Sequence, residues 1–243
     1  MGNLFNVEGP VMRTLSRVAD LLWLNFVTLA CCLPIITIGA AMTALHYSSL
    51  KIIRRDDTSV TKLYFKSFKD NFVQATIIWV LILFVIAAFV LDFKLFAAAG
   101  IKLHMAVKII IGIIGAIALF TAMYVFPVLA KFDNKIVRTI KNSFMISLMM
   151  FPKTVLMVII YLVPVYITIY VPTMFPLVTM FGISAPALAF AWLYNKPFKK
   201  LEDLVRAASG EESVEPADDE RIFKDELDES LIASEEESQN GHY

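Results

Sequence analysis

The sequence predicts an all-α fold, a polytopic bundle of about six transmembrane helices with short interfacial helices between them. Three observations predict it. Hydrophobic residues make up 58% of the chain and charged residues 18%, against roughly 45–50% and 25% in soluble domains. The excess is gathered into uncharged runs of the length, about 20 residues, that a bilayer core requires. The cations between those runs collect in alternate connections, as they do in chains that cross a membrane repeatedly.

The first run, from Leu21 to Leu50, contains no Asp, Glu, Lys or Arg. As one helix it would be about 45 Å long, too long for a core of about 30 Å. It is interrupted at Leu33-Pro34-Ile35-Ile36-Thr37-Ile38-Gly39. Proline breaks the hydrogen-bond ladder and Thr37 is suited to cap a new helix. The expectation is a hairpin, with one helix from Val11 to Leu33 and a second from Gly39 to Ile53. One kinked span, giving five in all, is the alternative. The run far exceeds the h-region of a cleaved signal, so the first helix is expected to be an uncleaved anchor.

Four further spans are expected at Phe72 to Leu91, Met105 to Ala130, Thr154 to Val171 and Thr173 to Tyr194, the last two parted by a turn at Pro172. Residues 51–71 carry Lys51, Arg54, Arg55, Lys62, Lys66 and Lys69. Residues 131–142 carry Lys131, Lys135, Arg138 and Lys141, and the segment after Tyr194 opens with Lys196, Lys199 and Lys200. The intervening connections carry few cations. The positive-inside rule places the rich ones in the cytoplasm. Arg13 and Arg17 place the N-terminus there too, which requires an even number of spans and supports the hairpin.

Two cytoplasmic connections read as amphipathic helices. In Thr58 to Phe72, with Thr58 or Ser59 as cap, Val60, Leu63, Tyr64 and Phe68 share one face and Lys62, Lys66 and Lys69 the other. This is the pattern of an interfacial helix, aromatics in the headgroup layer and lysines toward anionic lipid, or of a surface that docks a cytoplasmic partner. In Ile136 to Met150, Val137, Ile140 and Phe144 make an apolar stripe beside Arg138 and Lys141.

The zero net charge conceals a split. Residues 1–210 carry 20 Lys and Arg against 9 Asp and Glu, and residues 211–243 carry 2 against 13. The expected organisation is a helical membrane domain over 1–205 and an acidic, mostly disordered tail over 206–243. Phe223, Leu227 and Leu231 fall at helical spacing within that tail.

Catalytic and metal chemistry has no signature here. Cys31 and Cys32 are adjacent inside an apolar run and read as small buried side chains. His46, His104 and His242 are scattered, and no phosphate loop, metalloprotease or hydrolase motif occurs. Neither a cofactor nor nucleic-acid binding is expected. His46, in the second half of the hairpin, and Lys153, at the boundary of a run, stand out as ionisable, and Asn25 and Thr37 as polar. The reading for the polar pair is helix-to-helix hydrogen bonding, with Gly39 allowing close approach.

The segments Arg17-Val18-Ala19-Asp20-Leu21 with Leu24-Asn25, Leu33 through Ala41 with Thr43-Ala44, and Ser67-Phe68-Lys69-Asp70-Asn71-Phe72 with Gln74-Ala75 resemble the YesL family of bacterial multi-pass membrane proteins. Lys131-Phe132-Asp133 and Lys141-Asn142-Ser143 extend the likeness, which covers roughly residues 5–200. The resemblance implies a cell-membrane protein of Gram-positive bacteria, encoded beside carbohydrate ABC importers and sensor kinases. It transfers no catalytic residue. The expected function is therefore an accessory or regulatory membrane protein, not an enzyme, whose partners are the bilayer and importer subunits or a sensor kinase. Pro34, Thr37, Gly39 and Asn25 would form its structural motif. Lys62, Lys66, Lys69, Arg138 and Lys141 would form its partner or lipid face. A permease-like transport subunit for sugars is the alternative, since Lys141 to Val155, ending in Phe151-Pro152, faintly resembles part of an importer coupling loop.

Overall fold

The computed structural model describes residues 10–54, 59–98, 104–132 and 134–209. The predicted tail motif around Phe223, Leu227 and Leu231, together with Arg55 and Thr58, lies outside the described residues. Among those described, all regular structure is helical. The chain runs α1 (Pro10–Cys31), a 3-10 turn (Ile35–Thr37), α2 (Ile38–Arg54), α3 (Val60–Asp70), α4 (Phe72–Ala98), α5 (Met105–Lys131), α6 (Ile136–Met149) and α7 (Phe151–Tyr170). A second 3-10 turn (Pro172–Met174), α8 (Phe175–Phe181) and α9 (Ser184–Ser209) complete it.

The α4, α5 and α7 helices are long and apolar enough to cross a membrane, which makes this a multi-pass membrane protein. The expected last span from Thr173 to Tyr194 is not one straight helix. It is bent by 55° between Phe181 and Ser184 and qualifies as a fourth span only as a bent pair. The remaining two expected spans, the hairpin arms α1 and α2, are not among the helices long and apolar enough to cross, so the described residues hold three or four candidate spans where about six were expected. At 17 residues, α2 is about 26 Å long, short of the bilayer core. It is wrapped by protein rather than lipid, for α1, α3, α4, α5 and α9 all pack on it.

Small residues make this central position possible. Gly39, Ala40, Ala41 and Ala44 are all buried, and a Cβ on Gly39 would collide with the Ala75 carbonyl oxygen and stand 2.8 Å from Trp79 Cβ. Three apolar clusters converge on the same helix. Leu50 packs with Tyr124, Phe190 and Tyr194, Leu45 with Leu24 and Tyr64, and Ala40 with Ile78 and Val125.

A helical unit is used twice, for α3 doubles back along α2 before α4, and α6 doubles back along α5 before α7. The two short helices orient oppositely. The α3 helix buries Leu63 and Tyr64 against α1 and α2, so its apolar face meets protein and not the headgroup layer expected of it. Burial also pushes the Tyr64 phenol above its ordinary pKa, keeping it neutral. Ser59 precedes α3 without making a capping bond. The α6 helix buries Thr139, Ser143 and Ser147 instead, and turns Val137 and Phe144 outward.

Breaks in apolar surroundings free backbone groups that must find partners. At the hairpin, Pro34 ends α1, and the Thr37 hydroxyl lies 2.6 Å from the Cys31 carbonyl and 2.8 Å from that of Pro34. Thr37 therefore donates to the end of α1, where a cap accepting from the amides of α2 was expected. Trp79 Nε1 donates to Ile35 O at 2.8 Å, fixing the turn to α4. At the α8–α9 break the partner comes from α1. Asn25 Nδ2 donates to Thr179 O at 2.7 Å, and its Oδ1 accepts from the Ile183 and Ser184 amides, both at 3.1 Å.

Replacing Asn25 by Ala would remove the partner of these three backbone groups, of which the Ser184 amide is in a buried bond, at about 1–3 kcal/mol for a buried group left unpaired, and is expected to lower the melting temperature in detergent. Gly39→Ala is expected to force α2 and α4 apart, at about 1–3 kcal/mol. Thermal unfolding of purified protein followed by circular dichroism checks both, and a wild-type midpoint for either would mean that contact is not structural.

Candidate functional site

The residues singled out as a motif do not form one site. Pro34, Thr37 and Gly39 share the hairpin turn, whose apolar tip is exposed (Leu33 is 83% accessible). Asn25 serves the α8–α9 break instead. The cationic set is likewise divided between two helices. Lys62, Lys66 and Lys69 lie on the exposed side of α3, with Phe65 among them, and Arg138 and Lys141 lie on the exposed side of α6.

Because the apolar side of α3 is clamped, its cations project from a fixed surface. Trp23 Nε1 donates to Thr61 Oγ1 at 2.9 Å, joining α1 to α3. At its far end Asn71 caps the helix, its Nδ2 donating to Ser67 O at 2.8 Å before α4 begins.

Three cations assigned to cytoplasmic loops are in fact internal. Lys51, Arg54 and Lys131 lie within helices, and Lys51 and Lys131 are buried. Arg54 grips the buried Glu202 of α9 as a fork, with Nη2 to Oε1 at 2.8 Å and Nη1 to Oε2 at 3.2 Å, and its Nε donates to Asn195 Oδ1 at 3.0 Å. Lys131 Nζ stands 3.7 Å from the same carboxylate. Lys51 Nζ lies 5.8 Å above the Tyr47 ring. Glu202 thus ties α2, α5 and α9 at one end of the bundle. Its signal was present in the sequence: it continues the four-residue stripe Phe190, Tyr194, Phe198 that α9 directs into the core.

His46 is buried on α2. Its Nε2 is 3.4 Å from the Tyr161 hydroxyl, and its ring lies 5.3 Å from that of Phe190. Nδ1 has no hydrogen-bond partner among the described residues. Among those residues no three His, Cys, Asp or Glu side chains cluster as a metal site would require. A groove of about 440 Å³ opens between α4 and α5 beside α6, lined by Ile82, Ile86, Phe89, Gly115 and Val125 with Thr121 as its polar member. Such a lining suits acyl chains better than a sugar, whose hydroxyls need polar partners.

Residues 18–93, from within α1 to near the end of α4, match the sequence family described as "Protein of unknown function, DUF624". The matched segment holds the hairpin, the cationic α3 and the start of the groove. No curated protein and no solved structure matches the chain.

Glu202→Ala would take from the buried Arg54 guanidinium the carboxylate it grips, a loss of about 3–5 kcal/mol for a buried pair. The expected outcome is a large drop in thermal stability in detergent. Exchange of the charges, Arg54→Glu with Glu202→Arg, is expected to recover part of it. No recovery, with Glu202→Ala itself near wild type, would remove the ion pair from the structural account.

Proposed function

We propose that this chain is a non-catalytic accessory subunit of the bacterial cell membrane, with both termini cytoplasmic. Its role is to hold a cytoplasmic partner for carbohydrate import or for its sensing, on the cationic face of α3. The observation that carries this reading is the clamping of α3. A helix whose apolar side is already packed on α1 and α2 has no use for the bilayer as a partner of that side. Lys62, Lys66 and Lys69 are then presented at fixed spacing on a rigid support, as electrostatic docking requires.

The chemistry it fits is an acidic surface on a soluble or membrane-bound protein. The resemblance to the YesL family, whose members are encoded beside carbohydrate importers and sensor kinases, supplies the class of partner: an importer subunit or a kinase. The match of residues 18–93 to a family of unknown function is compatible with that class without naming it. Asn25 and Glu202, polar residues buried inside the body, are engaged in structure. The apolar groove between α4 and α5 lends no support to the alternative in which the chain itself conducts sugars.

Tagged protein drawn from its native membrane in mild detergent is expected to bring down importer subunits or a sensor kinase, identified by mass spectrometry. The Lys62→Glu, Lys66→Glu, Lys69→Glu variant is expected to insert normally and lose that partner. Retention of the same partner by the variant would remove α3 from the reading, and recovery of the protein alone from wild type would overturn it.

A further inference from the structure

The α6 helix is inverted relative to a helix on a water-soluble body. Its inward stripe is Thr139, Ser143 and Ser147. The Ser143 and Ser147 hydroxyls turn back onto their own helix, Ser143 Oγ to Thr139 O at 2.7 Å and Ser147 Oγ to Phe144 O at 2.8 Å. These short side chains leave a flat face on which α6 lies close against α5. Ile136 and Ile146 pack toward the core, but Val137, Phe144, Met145, Leu148 and Met149 point away from the protein, with Val137 79% and Met149 81% accessible. A helix that buries hydroxyls and exposes Val, Phe, Leu and Met does not have water on its outer side.

The outer side is also graded along the helix axis. Lys135 at the N-cap and Arg138 and Lys141 in the N-terminal half occupy exposed positions on either side of Val137. Phe144, Met145, Leu148 and Met149 occupy the C-terminal half, which carries no charge. One residue later the chain enters α7, where Phe151, Val155 and Ile159 continue the exposed apolar surface of a candidate span. The α3 helix shows no such grading, for its lysines run from Lys62 to Lys69.

We propose that the outer face of α6 is a seat for anionic phospholipid, with Lys135, Arg138 and Lys141 at the headgroups and Phe144, Met145, Leu148 and Met149 among the acyl chains. The axial order of cations and then apolar groups reproduces the polarity profile of a bilayer interface. The surface is continuous with the lipid-facing side of α7, which fixes the occupant as the surrounding membrane. The sign of the charge selects anionic over neutral lipid. The α6 helix therefore positions the junction between α5 and α7 at the cytoplasmic interface, independently of whatever partner binds α3.

The test uses the full chain reconstituted with phosphatidylglycerol or phosphatidylcholine, each carrying the same photoactivatable acyl chain, with labelled peptides mapped by mass spectrometry. The peptide spanning Phe144 to Met149 is expected to label severalfold more with phosphatidylglycerol. That preference is expected to vanish in the Lys135→Gln, Arg138→Gln, Lys141→Gln variant and to survive in the Lys62→Gln, Lys66→Gln, Lys69→Gln variant. Unchanged labelling of the α7 peptide verifies that both variants remain inserted. Equal labelling by the two lipids in the wild type would overturn the proposal, reducing the face to generic lipid contact. Protection of α6 from both lipids that is relieved by deleting residues 210–243 would also overturn it, assigning the face to the acidic tail.

Discussion

A helix that ends inside an apolar environment leaves amides and carbonyls that water cannot reach, and each costs several kcal/mol if nothing pairs it. The architecture of this protein follows from how its breaks are paired. The Thr37 hydroxyl closes the end of α1, and Trp79 reaches from α4 to the turn that follows. At the α6–α7 junction, Thr154 donates toward the Ser147 and Met150 carbonyls and stands 3.2 Å from the Tyr124 hydroxyl. Asn25 spans the α8–α9 break from α1. Most of these devices join elements distant in sequence. The groups that satisfy the backbone therefore also set the tertiary arrangement, and the two requirements cannot be altered separately.

The central position of α2 is a second consequence. A short helix with Gly39, Ala40, Ala41 and Ala44 at one end admits close neighbours. Lys51 and Arg54 at its other end need hydrogen-bonding, anionic or aromatic company once buried, and Asn195, Glu202 and Tyr47 provide it. Ion pairs of this kind add little net stability over an apolar replacement but penalise any arrangement that separates them. The bundle is held by close packing at the hairpin end of α2 and by charge pairing at the other.

The helices α3 and α6 occupy the same place in the repeated unit and present contrary surfaces. Covered by α1, α3 shows lysines outward, whereas α6 has hydroxyls inward and shows large apolar groups. Both have the alternating pattern of an amphipathic helix. Such a pattern shows that a helix has two unlike faces, and the surroundings decide which one the protein covers.

The sequence by itself determined the helical class, the positions of the long spans and the hairpin. Each of these depends on local quantities: run length, proline and glycine placement, and the desolvation of charge. It also marked Asn25, Thr37 and Gly39 as polar or small residues used for contact. Tertiary structure alone decided their partners, because a hydrogen bond from Asn25 to Thr179 and Ser184 depends on the path of every helix between them. The same holds for Arg54 and Lys131, which local reading assigns to loops by charge and which pack inside against Glu202 of α9, and for Lys51, which is buried over the Tyr47 ring. The bend at Gly182 lies within an unbroken apolar run, where hydropathy has nothing to detect. Asn25 takes up backbone groups that the bend exposes.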